Sequence, residues 1–300
     1  MKRNVFLLTL AAALTLSAGA TPIRFGTWNI RLSVMDKYEK DPKFPKWEER
    51  MPHVTGLIKE KGFDLMGLQE VTTPQAEVIR AALPGWKLVG VATNDAERSR
   101  CSHANGILYR TDRFAALRWG RFALSETPEV PGSRSWDTKC VRSCTCAVME
   151  DLVDHRRFLV FNTHFDHRGQ VAREKGMELV LARIEAARRN TGLPVILCGD
   201  FKSVVTTPQI EAAKKALRLA YDVSETPPKG PARTDNEWKF RDPSQETYGP
   251  RIDHVFLTDG AKVRSYETFG DFFGDGIYPS DHFPIKAVLE LPDNNGRKDN

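Results

Sequence analysis

Apolar and polar positions alternate in two rhythms along the chain, one of period two and one of helical spacing. The run Ile23 to Asn29 alternates apolar and polar residues and predicts a strand. Trp47, Met51, Val54, Leu57 and Ile58 then recur at helical spacing, so Trp47 to Lys61 predicts a helix that Gly62 ends. Phe63 to Val71 predicts a second strand, apolar almost throughout until Gln69 and Glu70. Further strands are predicted over Ile107 to Arg110, Ser143 to Glu150, Phe158 to Thr163, Val195 to Gly199, Ile252 to Leu257 and Ile285 to Leu291. Val171 to Arg189 and Pro208 to Leu219 carry amphipathic helical patterns. Between them, Arg31 to Pro45, Asn94 to Asn105, Glu126 to Thr138 and Ser224 to Thr247 are rich in Pro, Gly and charge and predict loops. No linker or low-complexity stretch divides the pattern, which therefore predicts one α/β domain over residues 21–292, with two packed sheets or an open one, followed by a polar tail over 293–300.

The first twenty residues stand apart. Lys2 and Arg3 precede an apolar run from Val5 to Leu16 and then Ser17-Ala18-Gly19-Ala20, the pattern of a cleavable secretory signal. The run is short of the roughly 20 apolar residues of a spanning helix, and no cysteine follows Ala20 to carry a lipid. The expectation is export to a periplasmic or extracellular compartment, without stable membrane insertion. Removing Lys2 and Arg3 takes the formal charge from +5 to +3, since no acidic residue lies in that segment. So mild a balance permits a polyanionic substrate without requiring one. Of Cys101, Cys140, Cys144, Cys146 and Cys198, an odd number, at least one is unpaired. Cys198 sits in an apolar run and predicts a buried thiol. Cys140, Cys144 and Cys146 leave open a disulfide with Cys101, plain thiols, or a zinc site that lacks a suitably spaced histidine.

Polar residues recur where apolar strands end: Asn29, Gln69-Glu70, Asn162 with His164 and Asp166, Asp200, Asp253, and Asp281-His282. A carboxylate in or just after an apolar run costs several kcal/mol unless it is paired or metal-bound. Each taken singly has a structural explanation, as a turn cap, an ion-pair partner or a satisfied core histidine. Together they form a set of hard oxygen ligands and acid–base groups suited to Mg²⁺ or Mn²⁺.

The segments Thr27-Trp28-Asn29, Gly67-Leu68-Gln69-Glu70-Val71, Asn162-Thr163-His164-Phe165-Asp166, Gly199-Asp200-Phe201, Arg251-Ile252-Asp253-His254 and Ser280-Asp281-His282-Phe283-Pro284 resemble, in order, the signature segments of the endonuclease/exonuclease/phosphatase superfamily. The resemblance runs from about Ile23 to Leu291. It implies a DNase I-like, four-layer α/β/β/α sandwich of two mixed sheets, with the site at one edge of the facing sheets. It also implies hydrolysis of phosphoester bonds by an activated water with a divalent metal. Glu70 would bind the metal directly, with Asn29 and Asp281 supporting the metal or its waters. Asp200 would orient or deprotonate the attacking water and His282 would contact the scissile phosphate. Asp253 would orient a catalytic histidine, either His164 or His282. Arg142 falls where close relatives place a phosphate-facing arginine, so that Asn29, Arg142 and Lys202 would face the substrate.

Two positions depart from the family pattern. Lys202 stands where Gly-Asp-Phe-Asn is usual, and an ammonium offers donors but no acceptor. It would either clamp a substrate phosphate or repel the metal, and the second outcome would leave a phosphate-binding protein with impaired turnover. His103 falls near a position where many relatives carry glutamate. The implied partner is a phosphoester, nucleic acid included, and no protein partner is implied. No alternation of aromatic and basic residues marks a base-stacking groove.

Overall fold

The computed structural model describes residues 20–40, 44–91, 104–239, 250–274 and 276–292. The signal-like segment up to residue 19, Cys101, His103 and the 293–300 tail lie outside the described residues.

Two six-stranded sheets face each other. In the first, β1 (Ile23–Asn29) pairs in parallel with β2 (Leu65–Val71), and α1 (Trp47–Glu60) is the crossover that a parallel pair requires. The second repeats the arrangement: β7 (Arg157–His164) and β8 (Val195–Asp200) are parallel, and α3 (Gln170–Thr191) joins them. The remaining pairings in both sheets are antiparallel. β4 (Ala104–Arg110), β3 (Trp86–Val89), β11 (Lys262–Thr268) and β12 (Ile285–Glu290) complete the first sheet in the order β11-β12-β1-β2-β4-β3. β5 (Phe114–Ala123), β6 (Ser143–Asp151), β10 (Asp253–Leu257) and β9 (Arg218–Leu219) complete the second in the order β5-β6-β7-β8-β10-β9.

Apolar residues settle into three layers. Phe25, Leu65, Ile107, Ile196, Cys198 and Val255 fill the space between the sheets. Val54 and Ile58 of α1, with Ile79 of α2 (Thr73–Ala82), pack on the outer face of the first sheet against Trp28, Met66 and Leu68. Met177, Val180 and Ile184 of α3, with Ile210 of α4 (Pro208–Ala216), cover the outer face of the second against Phe161 and Leu197. The result is the α/β/β/α sandwich expected from the resemblance. It explains why β2 and β8 read as continuous apolar runs: both of their faces are covered.

The sheets approach closely at Gly67. A Cβ at Gly67 would collide with Cys198 Sγ and the Asn162 amide. Glycine there lets Gln69 Nε2 reach Asn162 Oδ1 at 2.7 Å across the sandwich. Asn162 Nδ2 in turn donates to the carbonyls of Leu68 (3.0 Å) and Gly106 (2.7 Å). This buried amide relay ties the two sheets together beside the polar edge, and it gives Asn162 and Gln69 a structural role.

Several elements differ from the sequence pattern. β3, β5, β9, β11 and α2 lie outside the elements that the pattern predicts, and the helix predicted over Pro208 to Leu219 stops at Ala216, after which Arg218-Leu219 pairs with β10. β5 is an edge strand whose middle is exposed, and a bulge between Ala116 and Arg118 shifts its alternation. β11 carries a similar shift between Val263 and Ser265. The start of α2 is marked by a Thr72–Gln75 capping box, with Gln75 Oε1 accepting from the Thr72 N–H at 3.2 Å.

Candidate active site

Both parallel pairs end on the same edge of the sandwich. The carboxyl ends of β1 and β2 present Asn29 and Glu70, and those of β7 and β8 present His164 and Asp200. Antiparallel neighbours add the rest. Asp253, the first residue of β10, lies opposite Asp200, and the loop entering β12 carries Asp281 and His282. Segments far apart in sequence therefore converge because strand polarity puts them on one edge.

Local backbone geometry aims the side chains. Glu70 sits in a break of the β2–β4 register and has φ +62°; left-handed backbone at a non-glycine residue costs on the order of 1–3 kcal/mol and is commonly retained where it positions a functional group. Arg31 (φ +59°) and Lys202 (φ +46°) share this conformation at the same site. Gly199 has φ +148°, and a Cβ there would strike the Thr163 carbonyl, so β8 can deliver Asp200 beside β7 only with glycine before it.

One amide joins the carboxylates of the two sheets. Asn29 Nδ2 lies 3.2 Å from Glu70 Oε1 and 3.1 Å from Asp200 Oδ2. Glu70 Oε2 accepts from the Leu32 N–H at 2.9 Å. His164 faces both carboxylates, Nε2 at 3.3 Å from Asp200 Oδ2 and Nδ1 at 4.0 Å from Glu70 Oε1. Asp253 Oδ2 lies 2.8 Å from His282 Nδ1, so of the two histidines it is His282 that Asp253 pairs with. His282 Nε2 is then 3.6 Å from Asp200 Oδ2, and Thr234 Oγ1 accepts from the Asp253 N–H at 3.1 Å.

The charges compete. At His282, burial depresses the imidazole pKa while Asp253 lifts it, and it ends up at about 10. Asp253 is itself raised to about 6, by burial first, with His282 working against that. Asp200 is held below the usual carboxylate range: burial opposes its charge, but Lys202, His282 and the Asn29 amide outweigh it. Lys202 Nζ lies 3.0 Å from Asp200 Oδ2 and 3.2 Å from His282 Nε2. Burial disfavours its charge too, yet Asp200, Glu70 and Asp281 raise it above the ordinary lysine value. An ammonium has no acceptor, so this contact to Nε2 wants a lone pair there and the imidazole proton on Nδ1, facing Asp253. The pull of Asp253 toward imidazolium and the push of Lys202 against it thus meet on one ring.

The other expected residues occupy two flanks. Arg142 is buried on one, with Nη2 3.2 Å from His167 Nδ1 and Nε 3.7 Å from Asp166 Oδ2. Burial lowers its pKa, while Glu70, Asp166 and Asp200 favour its charge. On the other flank Asp281 Oδ2 is paired with Arg31 Nη1 at 2.7 Å. Its pKa falls to about 2: burial pushes it up, but Arg31, His282 and Lys202 pull it down further.

Glu70 and Asp200, bridged by the Asn29 amide nitrogen, form a hard-oxygen donor pair of the kind that suits a divalent cation, with Asp281 on the Arg31 flank. Asp200, Asp253 and His282 offer ligand atoms within 4.8 Å of one another. Asp253 and His282 Nδ1 are spent on each other, however, so Asp200 is the member of that group better placed to face a cation. Cys140, Asp166 and His167 also cluster, but Cys140 is disulfide-bonded. Asp166 accepts from the N–H groups of Lys139, Cys140, Arg168 and Gly169, which marks it as the organiser of that loop. Cys144, Cys146 and Cys198 are free thiols.

Sequence reasoning missed the residues that hold the site from behind. Asn236 donates its backbone N–H to the Asp281 carbonyl (2.8 Å) and its Nδ2 to the Ser280 carbonyl (2.9 Å). Ser280 Oγ donates to the Asn29 carbonyl at 2.7 Å, and Trp28 Nε1 to the His282 carbonyl at 2.8 Å. Thr234 and Asn236 lie in a stretch read only as polar loop, and no spacing rule marked them.

Two facing mixed sheets between helical layers, with carboxylates, amides and histidines at one edge among buried cations, define a DNase I-like phosphoesterase scaffold. The chain belongs to the endonuclease/exonuclease/phosphatase family, which it matches over residues 26–282. It superposes on an endonuclease/exonuclease/phosphatase family protein of Bacteroides thetaiotaomicron with a TM-score of 0.81 and 28% identity, covering 95% of this chain and 100% of that one. The mannosyl-6-phosphatase of B. thetaiotaomicron VPI-5482 is similar at a TM-score of 0.79 and 29% identity, covering 89% and 99%. A protein of Acanthamoeba polyphaga mimivirus, R895, is 30% identical over 121 residues, which span 37% of this chain and 18% of that protein.

Proposed function

We propose that the chain is a divalent-metal-dependent hydrolase of phosphoesters, acting by attack of an activated water at phosphorus, with a phosphomonoester of a small alcohol as its substrate. The observation that carries this reading is the bridge of Asn29 between Glu70 and Asp200, set against the Asp253–His282 pair. The similarity to a mannosyl-6-phosphatase along nearly the whole chain supports a monoester over a polynucleotide.

The residues divide the work by their chemistry. Asp200, ionised and in contact with Asn29, orients a water and accepts its proton. His282, oriented by Asp253, gives its Nε2 proton to the alcohol oxygen as that oxygen's bond to phosphorus breaks, and Arg142 adds fixed positive charge where negative charge develops. Mg²⁺ or Mn²⁺, held by Glu70 with Asn29 and Asp281 beside it, would neutralise phosphoryl charge. The signal-like N-terminus supports an exported enzyme, and the disulfide at Cys140 fits an oxidising compartment.

A second reading, a phosphate-binding protein with impaired turnover, rests on the ion pair between Lys202 and Asp200 at 3.0 Å. Lys202→Asn separates the two. Removing the ammonium frees Asp200 and restores a side chain that both donates and accepts. We expect tighter Mg²⁺ binding by calorimetry and at least a ~10-fold gain in turnover, about 1.4 kcal/mol in barrier. A large loss of turnover would instead make Lys202 a working phosphate clamp, and the impaired reading would fall.

A further inference from the structure

We infer that the cavity beside Arg31, about 300 Å³, is a leaving-group subsite that takes a neutral, polyhydroxylated ring of the sugar type. This inference deepens the phosphoester reading and rests on it for the identity of the neighbouring site. The cavity lies between the segment after β1 and the segment around Trp238, and both are fastened to the catalytic edge. Arg31, on its wall, donates its N–H to Asn29 Oδ1 at 3.0 Å and pairs with Asp281. Two residues before Trp238, Asn236 holds the Ser280–Asp281 backbone. Arg31 thus borders both the cavity and the catalytic edge, and the alcohol of a phosphoryl group held among Asn29, Asp200 and His282 would enter the cavity past it.

The lining selects among alcohols. Trp238 is half-buried and its ring is fixed from two sides: Arg50 stacks at 5.6 Å from its centroid, and Phe44 meets it edge-on at 5.9 Å and 60°. Arg50 is fully buried and donates to the Ile30 and Pro279 carbonyls, so the platform is anchored to the same loops. A rigid indole suits the C–H face of a saturated ring, whereas the edge-on Phe44 leaves no parallel pair of rings to sandwich a base. Glu39 and Glu49 line the cavity as acceptors and Lys40 and Lys46 as donors. Alternating charges of this kind match hydroxyl groups, which both donate and accept. They give no net attraction to a second phosphate, since Asp36 in turn balances Arg31 on the wall.

The test combines binding and kinetics on the full mature chain, with a hexose 6-phosphate, the ring-less propyl phosphate and a 5′-phosphorylated oligonucleotide as probes. In saturation-transfer NMR, the ring protons of the hexose 6-phosphate should receive saturation from the wild-type protein, and Trp238→Ala should abolish this. In steady-state assays, the preference for the hexose ester over propyl phosphate should fall at least ~10-fold in Trp238→Ala, through KM rather than kcat. Met35→Trp, which fills the cavity without removing its anchors, should do the same if the Trp238 variant folds poorly. An unchanged preference in both variants overturns the subsite, as does saturation of the oligonucleotide's base protons in place of the sugar's. Ring saturation that depends on Trp238 in a protein that hydrolyses none of the probes upholds the subsite and rejects the hydrolase reading.

Discussion

Replacing His282 with alanine should lower kcat/KM by about 10²–10⁴-fold, the usual contribution of a positioned acid–base group, and do so through kcat with the fold intact. His282 is buried, but its backbone N–H and carbonyl remain bonded to Ser280 and Trp28, so the loop is held without the ring. The companion change Asp253→Asn separates orientation from chemistry. It keeps a hydrogen-bond partner near Nδ1 but removes the charge that lifts the imidazole against its burial. The pKa of His282 should then fall from about 10 toward its ordinary value, because burial and Lys202 both act downward and only Asp200 remains to act against them. An NMR titration of the imidazole reads this directly. A His282 pKa that stays high in Asp253→Asn would show that Asp253 is not its electrostatic partner.

Glu70→Ala is expected to abolish metal-dependent hydrolysis, because it removes the carboxylate that β2 aims into the site at the cost of a left-handed backbone. The Leu32 N–H and the Asn29 amide lose an acceptor with it, so some loss of stability accompanies the change, on the order of 1–3 kcal/mol for an unsatisfied buried group. Glu70→Gln controls for that loss: it keeps an acceptor for Leu32 and removes only the charge. Calorimetric titration with Mg²⁺ should show affinity lost in both variants, and thermal melts should show Glu70→Gln the closer to wild type. Wild-type metal affinity in Glu70→Gln would remove Glu70 from the metal site.

The central strands were legible from residue pattern, and their layering only from the family resemblance, for identifiable reasons. β1, β2, β7 and β8 are central strands whose apolar runs end abruptly in Asn29, Gln69-Glu70, His164 and Asp200, so their extent and their chemistry appear in the same few residues. The peripheral strands β5 and β11 were hidden because exposure and bulges break their alternation. Pairing was likewise beyond the linear pattern. Whether Asp253 served His164 or His282 depends on β10 lying antiparallel to β8 with Asp253 opposite Asp200, a register that no local signal carries. Asp166, just past the end of β7, shows that a carboxylate at a strand end can organise a loop instead: four backbone N–H groups hold it below the usual carboxylate range despite its burial. The supports Thr234 and Asn236 act through backbone contacts across the fold, and their residue types alone carry no such information.

The measurement that bears most directly on the central claim is phosphate release by the wild-type protein from a panel of phosphomonoesters and phosphodiesters, assayed with Mg²⁺, with Mn²⁺ and with a chelator. The proposed chemistry predicts turnover of monoesters that requires the added cation, disappears with the chelator and returns when the cation is restored. Turnover that persists undiminished in chelator, or a panel on which no ester is hydrolysed with either cation, would contradict it.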